Sequence, residues 1–293
     1  MIVASKREKI SYYLYLLPAF VVFGVFIFWP TIHSFYLSLC DYSLSTISSA
    51  KFVGLDNFKN LFFEERIFWK AMKNTAVYTV FTVPLTMAAG LLLALLIHNK
   101  LVKCKTIYKV IYYIPYVSSM VAVSIVFKLI FDPGSAGIAN QILVKLGFDL
   151  QPFIAHKVWS MVIVILLSVW KSLGYIMIIY LGGLLSISED IYEAVSLDPI
   201  SPWKKLTKIT LPLLKPTTLF LVTTETINSF QVFTPVNVMT GGGPNYATTT
   251  LISLLHETGF RNFNMGEASA IAVVIFVILS ILTIIQNKLA EDK

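Results

Sequence analysis

Residues 74–99 read NTAVYTVFTVPLTMAAGLLLALLIHN, a run without one Asp, Glu, Lys or Arg. A bilayer core is crossed by about 20 consecutive apolar helical residues, so this run is long enough to span with some tilt. The runs Ile10–Cys40, Val110–Phe127 and Ala268–Asn287 are equally free of charge, Val158–Leu185 is interrupted only by Lys171, and Leu213–Met239 only by Lys215 and Glu225. Six crossings are therefore predicted, over about 10–40, 74–99, 108–131, 158–185, 213–239 and 267–288. The fold class is an all-α integral membrane protein, one transmembrane domain over residues 1–293. Neither a soluble domain nor an internal repeat is legible.

Composition agrees. Of the 293 residues, 56% are hydrophobic and 13% charged, with a mean hydropathy of +0.75, where soluble chains carry roughly 45–50% apolar and 25% charged residues. Too little charge remains to solvate a globule of this size, which excludes a soluble enzyme. The net charge of +7 is scattered between apolar runs, whereas a nucleic-acid face needs a clustered basic patch. It records topology instead. With six crossings, the side holding both termini carries thirteen basic and seven acidic residues, against eight and eight on the other. The richer side is cytoplasmic by the positive-inside rule, so both termini are predicted in the cytoplasm. The first apolar run is about twice the length of a signal-peptide h-region and lacks a small-residue cleavage site; it reads as a first span. Cys40 and Cys104 fall on opposite sides in this topology, which excludes a disulfide between them.

Between the fourth and fifth crossings lies a long cytoplasmic loop, 186–211. Ser186-x-x-Glu189 has capping-box spacing, and Glu189 and Asp190 suit a helix N-terminus. Ile191, Ala194 and Val195 form one apolar stripe. Asp198-Pro199 should end that helix, and Ser201 followed by Pro202 should start another, with a stripe of Trp203, Leu206 and Ile209. On periodicity alone, two such helices lie in the lipid headgroups with their lysines on anionic lipid; the alternative is a docking surface for a cytoplasmic partner.

The stretch Tyr192–Pro212, YEAVSLDPISPWKKLTKITLP, resembles the EAA loop of ABC importer permeases, which runs E-A-A, three residues, D-G-A, and about ten residues on I-x-L-P. The likeness extends along the chain to the carbohydrate-uptake, maltose-type branch: Leu16-Leu17-Pro18, the segment Phe52–Asn57, Ile114-Pro115, Ser229–Phe233 and Thr240–Pro244 all have counterparts there. The resemblance implies a permease subunit of a prokaryotic cytoplasmic membrane, translocating a sugar or oligosaccharide. It implies a second, related permease chain as partner, two ATPase subunits that bind ATP and Mg, and an extracytoplasmic solute-binding protein. This chain itself would need no cofactor and hydrolyse nothing. The 186–211 helix pair would be the coupling element seated in the ATPase, through Glu193, Ala194, Asp198, Trp203, Ile209, Leu211 and Pro212. Two positions depart from the pattern. The family's Gly is Pro199 here and its Ala is Ile200, so either the turn differs in backbone geometry or positive φ is not needed at that Gly.

A carboxylate inside a membrane is costly and often functional, which singles out Glu225. It can relay protons or cations, hydrogen-bond sugar hydroxyls, or pair with Lys171 or Lys128 to hold the fold. Asn228 and Gln231 recur near its helical face, with Ser229 beside them and Phe230 and Phe233 flanking. Amides, a carboxylate and aromatic faces suit a sugar pathway, and the resemblance places the translocation site on this span; polar groups also glue membrane helices together. Lys128 reads as snorkelling to an interface, while the role of Lys171 stays open. Gly241–Gly243 with Pro244 has no following Lys-Ser/Thr and reads as a flexible outside turn, on the side where the family meets its binding protein. The four histidines lack ligand spacing, so no metal is expected, and no nucleophile–base arrangement appears. An ion-coupled secondary transporter using Glu225, an importer of glycerol phosphate esters and a noncatalytic membrane scaffold are the alternatives.

Overall fold

The structure, a computed structural model, describes residues 6–45, 50–99, 101–196 and 200–291. In chain order its elements are α1 (Lys6–Phe23), α2 (Trp29–Leu37), the two-residue strands β1 (Cys40–Asp41) and β2 (Lys51–Phe52), α3 (Asp56–Lys59), α4 (Arg66–His98), α5 (Lys105–Val117), α6 (Met120–Ile130), α7 (Ile138–Lys145), α8 (Lys157–Leu185), α9 (Glu189–Ser196), α10 (Pro202–Lys205), α11 (Leu211–Leu213), α12 (Lys215–Phe230), α13 (Thr234–Met239), α14 (Leu251–His256) and α15 (Met265–Glu291). Four helices are long and apolar enough to cross a membrane: Tyr15–Leu37, Arg66–His98, Lys157–Leu185 and Met265–Leu289. A fifth candidate is the pair α5 and α6, bent by 91° at its break.

Two of the predicted crossings are therefore not continuous helices. The 108–131 run breaks at Ser118, whose ψ of 150° is extended, and Ser119 then caps α6 by accepting from Ala122 N–H. The 213–239 run breaks at 231–233. There α12 stops after 16 residues, short of the ~20 a crossing needs, and α13 restarts with Pro235 in its first turn. Pro84, by contrast, sits inside α4 without ending it.

The chain forms two compact units. One comprises the residues up to Glu65 with Leu255–Phe276. In it β1 and β2 pair antiparallel, Cys40 with Phe52 and Asp41 with Lys51. Asn57 Nδ2 donates to the carbonyls of Ser38 and Cys40, both at 2.9 Å, and Met265 and Gly266 N–H both donate to Tyr42 O. Gly266 lies against the Cys40 carbonyl so closely that a Cβ has no room. Asn264 caps α15, its Oδ1 accepting from Glu267 N–H at 3.1 Å while its Nδ2 donates to Glu267 Oε2 at 2.9 Å. That Asn-x-x-Glu spacing is a capping signal present in the sequence and not read there. Cys40 is buried, Cys104 exposed, and both are free thiols.

The other unit, Arg66–Leu254 with Val277 onward, is built on α8. Its upper and lower halves join two separate apolar clusters. Ile176, Met177, Tyr180, Leu181 and Leu184 pack with Val83, Met87 and Ala94 of α4 and with Leu214 and Leu221. Met161, Ile163, Val164 and Leu167 pack with Tyr78 of α4 and with Val232, Val236 and Met239. Between α5 and α8 the approach is close enough that Gly174 faces the Tyr112 carbonyl and Tyr113 Cα with no space for a Cβ. Membrane helices gain little from hydrophobic burial against each other, so such small-residue contacts carry their packing. Gly174→Val is expected to cost about 1–3 kcal/mol, the range for overpacking, read as a lower melting midpoint of the purified chain; a midpoint equal to wild type refutes the contact.

Candidate functional site

Ser168, Lys171 and Ser172 of α8 lie between its two apolar clusters, with Val169 packed against the second, and the chain places polar groups opposite them. Ser168, Lys171 and Ser172 line a cavity of about 250 Å³ together with Tyr78 and Thr82 of α4, Met120 of α6, Glu225, Asn228 and Ser229 of α12, and the break at 231–235. The cavity is thus a polar layer between two apolar ones, at the midpoint of α8. Non-helical backbone at membrane depth is tolerated where it lines a cavity or is covered by protein; the 231–233 break does the first.

Five of the six predicted pathway residues meet here: Glu225, Asn228, Ser229, Gln231 and Phe233. Glu225 is only 5% exposed and its Oε1 accepts from Asn228 Nδ2 at 3.5 Å. Gln231 and Asn228 are exposed. Phe230 is the correction. It is buried and outside the lining, because five residues past Glu225 on the same helix it projects well off that residue's face.

Lys171 is not Glu225's partner. Among the described residues no ion pair joins Glu225 to Lys171 or Lys128. Lys171 Nζ instead donates to the carbonyls of Pro115, Tyr116 and Ser118 at 3.1, 2.7 and 2.9 Å. These sit where α5 ends and carbonyls run out of intrahelical donors, although Pro115 O also accepts from Ser118 N–H at 3.3 Å. The lysine therefore repairs a break in a neighbouring helix, and it also lies 5.6 Å from the centre of the Tyr116 ring, which stacks on Tyr175 at 4.9 Å. Lys128 is exposed in the last turn of α6, where a cation suits the helix dipole. Ser168, Ser172 and Tyr78 were missed by the sequence reading; small hydroxyls three before and one after an intramembrane lysine were the available signal.

The loop 186–211 forms the two expected helices. Ser201 caps α10, accepting from Lys204 N–H at 3.3 Å with Pro202 at the first position. The predicted cap of α9 is corrected by two residues: Ser188 Oγ accepts from Asp190 N–H at 3.3 Å, while Ser186 Oγ donates back to Gly183 O at the end of α8. The helices are tied by Tyr192, whose hydroxyl is 3.4 Å from Thr210 Oγ1 and whose ring lies 4.6 Å under Lys205 Nζ. Glu193 and Pro212 are exposed, Ile209 and Leu211 half-buried, and Trp203 is 71% exposed. Ala194 lies within α9; Asp198 and Pro199 fall outside the described residues.

The turn at Gly241–Pro244 is pinned rather than flexible. Gly241 and Gly242 take positive φ of 59° and 87°, and Thr249 Oγ1 donates to Gly242 O at 3.1 Å. Asn74 Nδ2 holds the carbonyls of Tyr246 and Thr249 at 2.8 and 2.9 Å.

Residues 86–293 match the family described as binding-protein-dependent transport system inner membrane component. The chain belongs to that family. Both the loop 186–211 and helix α12 with its break lie inside the matched region. The chain is 33% identical to the probable ABC transporter permease protein YurN of Bacillus subtilis, over 97% of each. It is 32% identical to the arabinooligosaccharides permease AraP of the same organism, over 97% of this chain and 89% of that one. It is 30% identical to the sn-glycerol-3-phosphate permease UgpA of Agrobacterium fabrum, over 98% and 96%. A crystal structure of a bacterial ABC transporter that imports the acidic polysaccharide alginate contains a chain of the same fold, with a TM-score of 0.84 over 98% of this chain and 96% of that one at 24% identity. This protein is accordingly a membrane permease of an ABC importer, not an enzyme, and hydrolysis of ATP falls to a separate subunit.

Proposed function

We propose that this permease translocates a sugar or oligosaccharide, handed over by an extracytoplasmic solute-binding protein, through a pathway that passes the Glu225 cavity. The observation that carries the proposal is the polar layer itself: a carboxylate, two amides and hydroxyls gathered midway along otherwise apolar helices. Such groups hydrogen-bond the hydroxyls of a carbohydrate, and Phe233 offers an aromatic face to its C–H surface. The cavity is smaller than the roughly 300–1,000 Å³ of ordinary ligand clefts, which suits one wall of a pathway completed by a second permease chain in a heterodimer.

Six passes, two of them interrupted, put both termini in the cytoplasm with the basic loops. The 186–211 pair then seats in one of the two ATPase subunits. Glu193, Trp203 and Pro212 stand exposed there, available for docking, with Ile209 and Leu211 behind them and Ala194 and Asp198 completing the motif. ATP-driven closure of the ATPase pair moves this element, and the helices beyond it open the cavity to the other side. The loop transmits a preference between two states, which requires different contacts in each. Glu193→Arg tests it: wild type should co-purify with its ATPase subunit, and the variant should retain about tenfold less. Equal retention removes Glu193 from the docking surface; retention by neither removes the coupling role.

A further inference from the structure

The lining of the cavity carries one cation, and that cation is already occupied. A lysine ammonium has three hydrogens to donate and no acceptor. Lys171 places them on the carbonyls of Pro115, Tyr116 and Ser118. Among the described residues, no other Lys, Arg or His lines the cavity. Its remaining polar groups are amides, hydroxyls and the Glu225 carboxyl.

Relatives of this chain handle solutes of both kinds. Arabinooligosaccharides are uncharged, while sn-glycerol 3-phosphate and alginate are anions. Kinship therefore does not decide the charge class; the wall that this chain contributes, with no unoccupied cation in its lining, argues for one of them. An anion leaving water needs charged, bidentate or multiple donors to replace its hydration. Here it would have to draw Lys171 off the helix break, leaving carbonyls without donors at membrane depth, and it would sit against Glu225. A neutral polyol needs neither rearrangement. Its hydroxyls donate to Glu225, Gln231 and the Ser168 oxygen, whose own hydrogen is held by Val164 O at 2.9 Å, and accept from Asn228 and Ser172.

We infer that this cavity selects uncharged hydroxylated solutes and rejects phosphate esters and uronates, because Lys171 is reserved as the counter-group of the α5–α6 break. The inference rests on the proposed passage of solute through this cavity, and the experiment separates the two. The assembled importer in nanodiscs carries Ser172→Cys as a reporter, in a Cys104→Ser background because Cys104 is exposed and Cys40 buried. Alkylation of the reporter by an uncharged maleimide is timed with three probes at equal concentration: arabinotriose, sn-glycerol 3-phosphate and trigalacturonate. Arabinotriose is expected to slow alkylation about tenfold more than either anion. A second variant, Gln231→Lys, adds a free cation to the exposed part of the lining and is expected to bring the anions to parity. Protection by the anions in the Ser172→Cys protein overturns the inference alone. Continued rejection of anions by Gln231→Lys overturns the role given to cation availability. Protection by none of the probes overturns the passage of solute through the cavity and this inference with it.

Discussion

Lys171→Met is expected to destabilise the folded permease by about 1.5–3 kcal/mol, the range for losing hydrogen bonds to a charged group. The methionine fills the same space but donates nothing. Of the three carbonyls at 2.7–3.1 Å from the ammonium, that of Pro115 keeps Ser118 N–H at 3.3 Å, while those of Tyr116 and Ser118 lose the ammonium, a loss that is expensive where water is scarce. Cavity water recovers part of the loss, since Lys171 is only half-buried. Lys171→Arg keeps the charge and five donors and should melt near wild type, while Lys171→Gln, with two N–H groups, should fall between. Thermal unfolding in detergent orders the three. Amide exchange adds a readout that a mere packing loss would not move: protection should fall first at 114–123, on the partner helices, and not along α8. A Lys171→Met protein as stable as wild type would show that the break needs no donor from α8.

The helices that were legible from sequence are those for which a bilayer permits one solution. Runs of apolar residues over 74–99, 158–185 and 267–288 became α4, α8 and α15, because a long charge-free segment in lipid has to satisfy its own backbone; α4 starts about two turns early, at Arg66, in a stretch whose charges had masked it. The 108–131 run passed the same test and is nevertheless bent by 91°. Hydropathy is nearly blind to serine, so Ser118 and Ser119 registered as tolerated polar residues rather than as an extended residue and a helix cap. The informative residue was far away in sequence: an unexplained Lys171 in an apolar run implies backbone or a carboxylate in need of it, and the structure supplies backbone. Pro235 played the same part at the second break. It sits where a new helix begins, so Phe233, read as flanking a continuous helical face, reaches the cavity from the break instead. The residue types were legible there; the backbone break that aims them was not.

Glu225→Ala should lower uptake by about a hundredfold, equivalent to roughly 2.7 kcal/mol and within the range for losing a hydrogen bond to a charged group. The carboxyl is held at 5% exposure between the apolar clusters, and its one amide neighbour, Asn228, is itself exposed, so truncation removes an acceptor from the cavity without stranding a buried donor. Assembly with the ATPase should survive, because α9 and α10 are not involved. Glu225→Gln separates the two chemistries that a membrane carboxylate can serve. The amide still accepts from a sugar hydroxyl and should retain uptake within about tenfold, whereas a proton relay needs a group that titrates, and Gln does not. Uptake in proteoliposomes with and without ionophore completes the comparison. A pathway driven by ATP is indifferent to the ion gradient, so insensitivity to ionophore together with a mild Gln phenotype assigns Glu225 to hydrogen-bonding solute. Collapse under ionophore with Gln as damaging as Ala would instead make the carboxylate the coupling site of a gradient-driven carrier, and the docking role proposed for Glu193 and Trp203 would lose its support.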